Sequence, residues 1–246
     1  MSDHNRRVAV VTGASRGIGA AIAERLSQDN LKVVINFAGN AALAEALAQK
    51  IGETGGVAFP IQVDVSDPVS VRDMFDAVEA RFGGIDVLVN NAGIQNLAPL
   101  AEMTDAAFDR MIAVNVKGVF NTLREAAKRM RRGGRIINLS SGTTATLSPA
   151  YGPYAATKAA VEAMTVVLAK EMRGRGITVN GIAPGPTATD LYLKDKTPEM
   201  LAQAAKRSPL ERLGEPTDIA AAVSFLVGPD GGWVNGQIIR VNGGFT

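Results

Sequence analysis

Tyr154 and Lys158 stand four residues apart in Tyr-Ala-Ala-Thr-Lys, with Ser140-Ser141 a short way upstream. On a helix, residues i and i+4 share a face, so this spacing holds a phenol beside an ammonium. A neighbouring cation favours the phenolate. It lets a tyrosine exchange protons nearer neutrality than its ordinary pKa of about 10. The chemistry predicted is acid–base catalysis by tyrosine with a serine hydroxyl close by. Little else in the chain competes for that work. The single histidine, His4, falls in a polar N-terminal stretch, and there is no cysteine. No histidine base, cysteine nucleophile or Cys/His zinc site is expected, and no metal is assigned.

The elements that must position these groups are legible as short β-branched runs alternating with amphipathic segments. Strands are predicted at Val8–Thr12, Lys32–Asn36, Val57–Val63, Ile85–Asn90, Arg135–Leu139, Ile177–Ile182 and Gln237–Val241. Helices are predicted at Ile18–Asp29, Ala41–Glu53, Pro68–Phe82, Ala106–Arg131 (in one piece or two), Tyr154–Arg173 and Pro216–Val227. Alternation of this kind implies right-handed βαβ units and a doubly wound parallel sheet of about seven strands flanked by helices, an α/β fold. The 246 residues fit one domain, since such folds run to this length undivided. Residues 1–6 are expected to form a flexible tail. Hydrophobic content of 46% and a net charge of +2 describe an ordinary globule with a weak field, although the pI is about 9.0. A nucleic-acid partner is therefore not expected. The chain has no signal-like apolar core and no long apolar run, so no membrane association and a cytoplasmic location are expected.

Thr12-Gly-Ala-Ser-Arg-Gly-Ile-Gly19 joins the first strand to the first helix. Glycines there allow a tight turn and close backbone approach to a pyrophosphate, while the helix N-terminus offers free N–H donors and a positive dipole end. The spacing is GxxxGxG rather than GxGxxG. The end of the second strand, Asn36-Phe37-Ala38-Gly39-Asn40, lacks the acid that would receive ribose hydroxyls and repel a 2′-phosphate. Arg16, inside the loop, offers that phosphate a cation. NADP(H) is the expected cofactor.

Read in order, Thr12-Gly-xxx-Gly-x-Gly, Asn90-Asn-Ala-Gly93, Asn115, Ser141, Tyr154-xxx-Lys158 and Pro184-Gly185 resemble the motif series of the short-chain dehydrogenases/reductases, from Arg7 to Gly244. The resemblance implies a Rossmann fold and hydride transfer between nicotinamide and a carbonyl carbon. It implies Tyr154 as general acid in reduction and general base in oxidation, with Lys158 lowering its pKa and binding the nicotinamide ribose. Ser141 would position the substrate oxygen, and Asn115 would hold a water linking Lys158 to solvent. Ser140 competes with Ser141, and Tyr151 with Tyr154, although the residue four beyond Tyr151 is Ala155. Implied cofactor contacts are Gly13, Ser15, Arg16, Gly17, Ile18 and Gly19, then Asn36, Phe37, Ala38 and Asn40. Asp64 and Val65 would meet the adenine; Asn91, Ala92, Gly93, Tyr154, Lys158, Pro184, Gly185, Thr187 and Thr189 complete the set. Residues 191–212 resemble a substrate lid.

The expected activity is reduction of a ketone or aldehyde by NADPH. One sharper expectation, also by resemblance, is a 3-oxoacyl-carrier-protein reductase, with Arg132 and Arg175 at positions resembling an acyl-carrier-protein contact; solvated helix-end cations are the plain alternative. A non-catalytic NADPH-binding regulator is a further alternative. The resemblance also implies a homo-oligomer, dimer or tetramer, formed through the helices that carry Asn115 and Tyr154.

Overall fold

The computed structural model describes residues 6–194 and 196–246. His4 and the expected flexible tail up to residue 5 lie outside the described residues. Seven strands form one parallel sheet in the order β3-β2-β1-β4-β5-β6-β7. They are β1 (Val8–Val11), β2 (Lys32–Phe37), β3 (Val57–Gln62), β4 (Val87–Asn90), β5 (Arg135–Leu139), β6 (Thr178–Pro184) and β7 (Ile238–Val241). A parallel sheet covered on both faces needs apolar residues on both, and all four residues of β1 are buried.

Helices α1 (Gly17–Gln28), α2 (Ala41–Glu53) and α10 (Pro216–Val227) cover one face. Helices α3 (Pro68–Phe82), α5 (Gly118–Arg129) and α7 (Gly152–Glu171) cover the other. Strand order reverses between β1 and β4. Such a switch point opens a crevice beyond the strands' carboxyl ends, where ligands of open α/β sheets bind. Asp67 caps α3, its side chain accepting from the Val69 and Ser70 amides; Pro68 then occupies the first turn, where a missing N–H costs nothing.

Two departures from the sequence reading bear on function. The predicted long helix is three pieces: α4 (Asp105–Met111), a π-helical segment Ile112–Lys117, and α5. A π segment widens the turn locally and marks functional sites with unusual frequency. Asn115 sits inside it, fully buried. The second departure is the 191–212 segment, which contains two short helices, α8 (Asp190–Leu193) and α9 (Pro198–Lys206). A further short helix, α6 (Thr143–Thr146), follows β5.

Candidate active site

A cleft of about 600 Å³ lies at the switch point, beside the glycine loop. The positive φ of Gly13 (+61°) turns the chain there, and any β-carbon on it would lie 2.8 Å from Ala92 Cα. A β-carbon on Gly19 would lie 2.5 Å from both Gly13 O and the Asn91 amide nitrogen. Only glycine allows this turn to close. The loop is tied down from β4: Thr12 Oγ1 accepts from the Asn91 and Ala92 amides at 3.0 Å. Asn91 Nδ2 donates to Thr12 O and Gly13 O at 2.9 Å. No side chain caps α1, so its first-turn N–H groups remain available to an anion.

The expected cofactor residues from Gly13 to Gly93, and Thr189, line this cleft. Several do so with side chains already committed. Asn36 accepts from the Gly13 amide at 3.3 Å and donates to Val63 O at 3.0 Å, stapling the loop to β2 and β3. Asp64 accepts from the Ser66 amide and hydroxyl and pairs with Arg110 at 3.0 Å. Burial opposes its charge, but the hydrogen bonds from Ser66 and Arg110 hold the carboxyl below the usual range. Arg110, on α4, also lines the cleft; no motif announced it. Arg16 is exposed and makes no ion pair among the described residues. A dinucleotide fits this set: a glycine cradle, open helix amides, and a free cation beside a strand end without a carboxylate.

The cleft opens into a cavity of about 310 Å³ lined by Ser141, Tyr154, Lys158, Pro184, Gly185 and Thr187 among others. The Ser141 hydroxyl lies within hydrogen-bonding reach of the Tyr154 hydroxyl. Ser140 takes another course: it is buried and donates to Glu162 Oε1 at 2.5 Å. Tyr151 lines the cavity wall without a cation one turn along. Lys158 is buried, donates to Leu139 O at 2.9 Å, and lies 5.8 Å from the Tyr154 ring centre.

Burial works against the expected acidification of Tyr154. Burial pushes the Tyr154 hydroxyl up to about 12, against the lowering effect of the Ser141 hydrogen bond. Burial likewise pushes Lys158 down to about 8. Desolvation disfavours both charged forms, and the spacing alone carries no information about it.

Asn115 lines neither space. Its Oδ1 accepts from the Ile94 amide at 2.8 Å, and its Nδ2 donates to Ile94 O at 2.8 Å and Thr157 Oγ1 at 3.1 Å. It stands one layer behind, near Lys158: a β-carbon on Gly93 would lie 3.4 Å from Asn115 Oδ1 and 3.5 Å from Lys158 Nζ.

Arg132 and Arg175 are placed away from the cavity. Arg175 donates to Ala127 O and Met130 O at the end of α5, and Arg132 to Gly174 O at 2.6 Å. Both lie in turns that enter β5 and β6, whereas the cavity follows the other ends of those strands. Five residues of strand, roughly 16 Å, separate them within one chain. From the 191–212 segment, Leu191, Tyr192, Ala204 and Arg207 contribute to the cavity wall, as does Phe245 near the C-terminus. No helix among the described residues is long and apolar enough to cross a membrane.

Comparison with known proteins agrees with this architecture. A family model described as enoyl-(acyl carrier protein) reductase matches residues 13–246. An NADPH-dependent aldehyde reductase-like chloroplastic protein of Arabidopsis thaliana is 46% identical over 98% of this chain and 94% of its own. A 3-oxoacyl-(acyl-carrier-protein) reductase of Staphylococcus aureus is 43% identical over 96% of each. A Burkholderia cenocepacia short-chain dehydrogenase, solved in complex with NADP, superposes with a TM-score of 0.92 at 41% identity, over 98% of this chain and 97% of that one. Agreement in motif order, strand order and near-complete length places this chain in the short-chain dehydrogenase/reductase family.

Proposed function

We propose that the protein reduces a ketone or aldehyde to an alcohol with NADPH. The observation that carries this reading is the continuity of the Ser141–Tyr154–Lys158 cavity with the glycine-cradled cleft that Arg16 borders. When bound, the reduced nicotinamide supplies a hydride to the carbonyl carbon. Ser141 and Tyr154 together receive the carbonyl oxygen by hydrogen bonds that strengthen as negative charge develops there. Tyr154 then gives its hydroxyl proton to that oxygen. A hydroxyl held near 12 is fully protonated at neutral pH and can serve as the donor in reduction. Lys158 lies close enough to stabilise the phenolate left behind. Asn115, locked to Ile94, keeps the wall behind Lys158 in register.

Support for NADPH over NADH comes from the neutral end of β2 and the unpaired Arg16, together with the NADPH or NADP in the names of an aldehyde reductase-like relative and a structural neighbour. We read residues 191–212 as a lid, because α8 and α9 supply cavity wall yet leave Leu191, Leu193 and Met200 substantially exposed. The deciding assay follows nicotinamide absorbance with NADPH and with NADH while ketones and aldehydes are added. No oxidation of NADPH with any carbonyl would leave the regulator reading in its place.

The 3-oxoacyl-carrier-protein version is favoured by the Staphylococcus relative and disfavoured by the engagement of Arg175 with helix carbonyls. Turnover of acetoacetyl-carrier protein against free acetoacetyl esters separates the two. A homo-oligomer is supported by exposed Phe120 and Val167 on α5 and α7, and by fully exposed Trp233 beside β7. Light scattering on Val167→Glu and Trp233→Glu variants tests it. We retain the cytoplasm as the compartment, noting the chloroplastic label of the plant relative.

A further inference from the structure

The reductase reading leaves the far wall of the cavity without a task. Among the described residues that line it, the only charged ones are Lys158 and Arg207, both cationic, and none carries a carboxylate. Lys158 is buried beside the tyrosine and donates to Leu139 O. Arg207 is different. It follows α9, and its guanidinium lies 4.4 Å over the Phe245 ring. It has no ion pair or side-chain hydrogen bond among the described residues. Arg212, five residues on, shows the contrast, with both terminal guanidinium nitrogens on Asp218 at 2.6 and 2.9 Å.

A guanidinium held over an aromatic ring by its central carbon still has N–H groups to offer, in the fork that suits a carboxylate or phosphate. Burial raises the Tyr192 hydroxyl above its ordinary range and Tyr151 adds to the rise, while the nearby Arg207 opposes it. A row of side chains, Arg207, Tyr192 and Tyr151, thus leads along the wall toward Tyr154, all four on one cavity. Leu191, Ile94 and the two tyrosine rings add apolar wall to the same space. One cavity thus holds a proton donor, apolar wall, and a cation without a carboxylate partner among the described residues.

We propose that Arg207 makes this site selective for carbonyl substrates bearing a negatively charged group at the end remote from the carbonyl, the class represented by ω-oxo carboxylates. The inference rests on the reductase reading, since it assigns the carbonyl end to Tyr154 and Ser141. Arg207 touches the substrate's anion and takes no part in hydride or proton transfer. Its contribution enters binding in ground and transition states alike, so it belongs to KM more than to kcat.

The test compares 4-oxobutanoate with butanal, and longer ω-oxo acids with their neutral aldehydes, in NADPH oxidation by the full chain. The wild type is expected to favour the acid. Arg207→Gln should lower the ratio of kcat/KM for acid over aldehyde by about ten- to a hundredfold, chiefly through KM, and Arg207→Lys should restore part of it. Butanal turnover by the variants reports that they fold. Equal kcat/KM for acid and aldehyde in the wild type, or an unchanged ratio in Arg207→Gln, overturns the proposal. Should no carbonyl be turned over at all, the reductase reading fails separately. Calorimetric titration of 4-hydroxybutanoate into the NADP-saturated protein then decides: binding weakened in Arg207→Gln sustains the anion contact, and equal or absent binding in both refutes it.

Discussion

Ser140 donates to Glu162 across 2.5 Å of half-buried space, and Thr144 donates to the same carboxylate oxygen at 2.9 Å. Ser141, one residue on, has its hydroxyl toward Tyr154. Two adjacent serines are thereby assigned opposite duties by the end of β5, since successive side chains leave an extended chain on opposite sides. Ser141→Ala should lower kcat by about 10²–10³, as loss of one oxyanion-type donor does. Ser140→Ala should keep turnover within a few-fold while destabilising the fold by about 1.5–3 kcal/mol, the cost of a lost hydrogen bond to a charged group. Steady-state kinetics beside urea unfolding separates the two.

Tyr154→Phe removes the proton donor and little volume. Turnover should fall by at least about 10²–10⁴, the range of positioned acid–base groups. NADPH binding, followed by its fluorescence, should survive. Near-normal kcat in this variant would refute the acid assignment.

Arg16 is exposed and unpaired, so its replacement costs the fold almost nothing. Arg16→Ala should raise KM for NADPH by about tenfold or more, since a charge-assisted hydrogen bond is worth roughly 1.5–3 kcal/mol. KM for NADH should scarcely move. A parallel rise for both cofactors would show that Arg16 does not read the 2′-phosphate.

The reaction centre also leaves a signature in stability against pH. Lys158 has a native pKa near 8, below its ordinary 10.5. Between those values the unfolded chain carries a proton that the native chain lacks, so stability climbs with pH across pH 8–10.5. This contribution is complete above 10.5 and is lost as pH falls through 8. Tyr154 works in the other direction: its native pKa near 12 exceeds the ordinary 10.0. Its contribution is complete below 10 and is lost as pH rises toward 12. Lys158→Met should flatten the rise, and Tyr154→Phe the fall, in urea titrations of the cofactor-free protein. A flat difference curve for Lys158→Met would mean that the lysine is better solvated than its burial implies.

Asn115 binds both backbone groups of Ile94. Asn115→Leu leaves the half-buried amide and carbonyl of Ile94 without this partner, at up to about 1–3 kcal/mol for each group that water does not reach. The urea midpoint should drop accordingly. A loss of activity without any loss of stability would point to a role beyond positioning.

Most of the fold was legible in local pattern. β-branched runs, Pro and Asp at helix starts, and the glycine loop gave strands and helices to within a residue or two, because each depends on near neighbours in the chain. Tyr154, Lys158 and Ser141 were legible as chemistry for the same reason, through helical spacing and a strand end. The π segment around Asn115 and the helices of the 191–212 segment were not, since packing and not periodicity decides them.

Where burial or long-range contact governs, the tertiary structure alone decides. Spacing put an ammonium beside Tyr154 but could not report the desolvation that holds the phenol near 12 and the lysine near 8. Resemblance offered Arg175 as a carrier-protein contact, with a helix-end cation as the alternative; in the fold it donates to the carbonyls that end α5. Arg110 beside Asp64, and Arg207 on Phe245, carried no local sign at all. Each meets a partner more than thirty residues away, and only the closed fold brings such residues into contact.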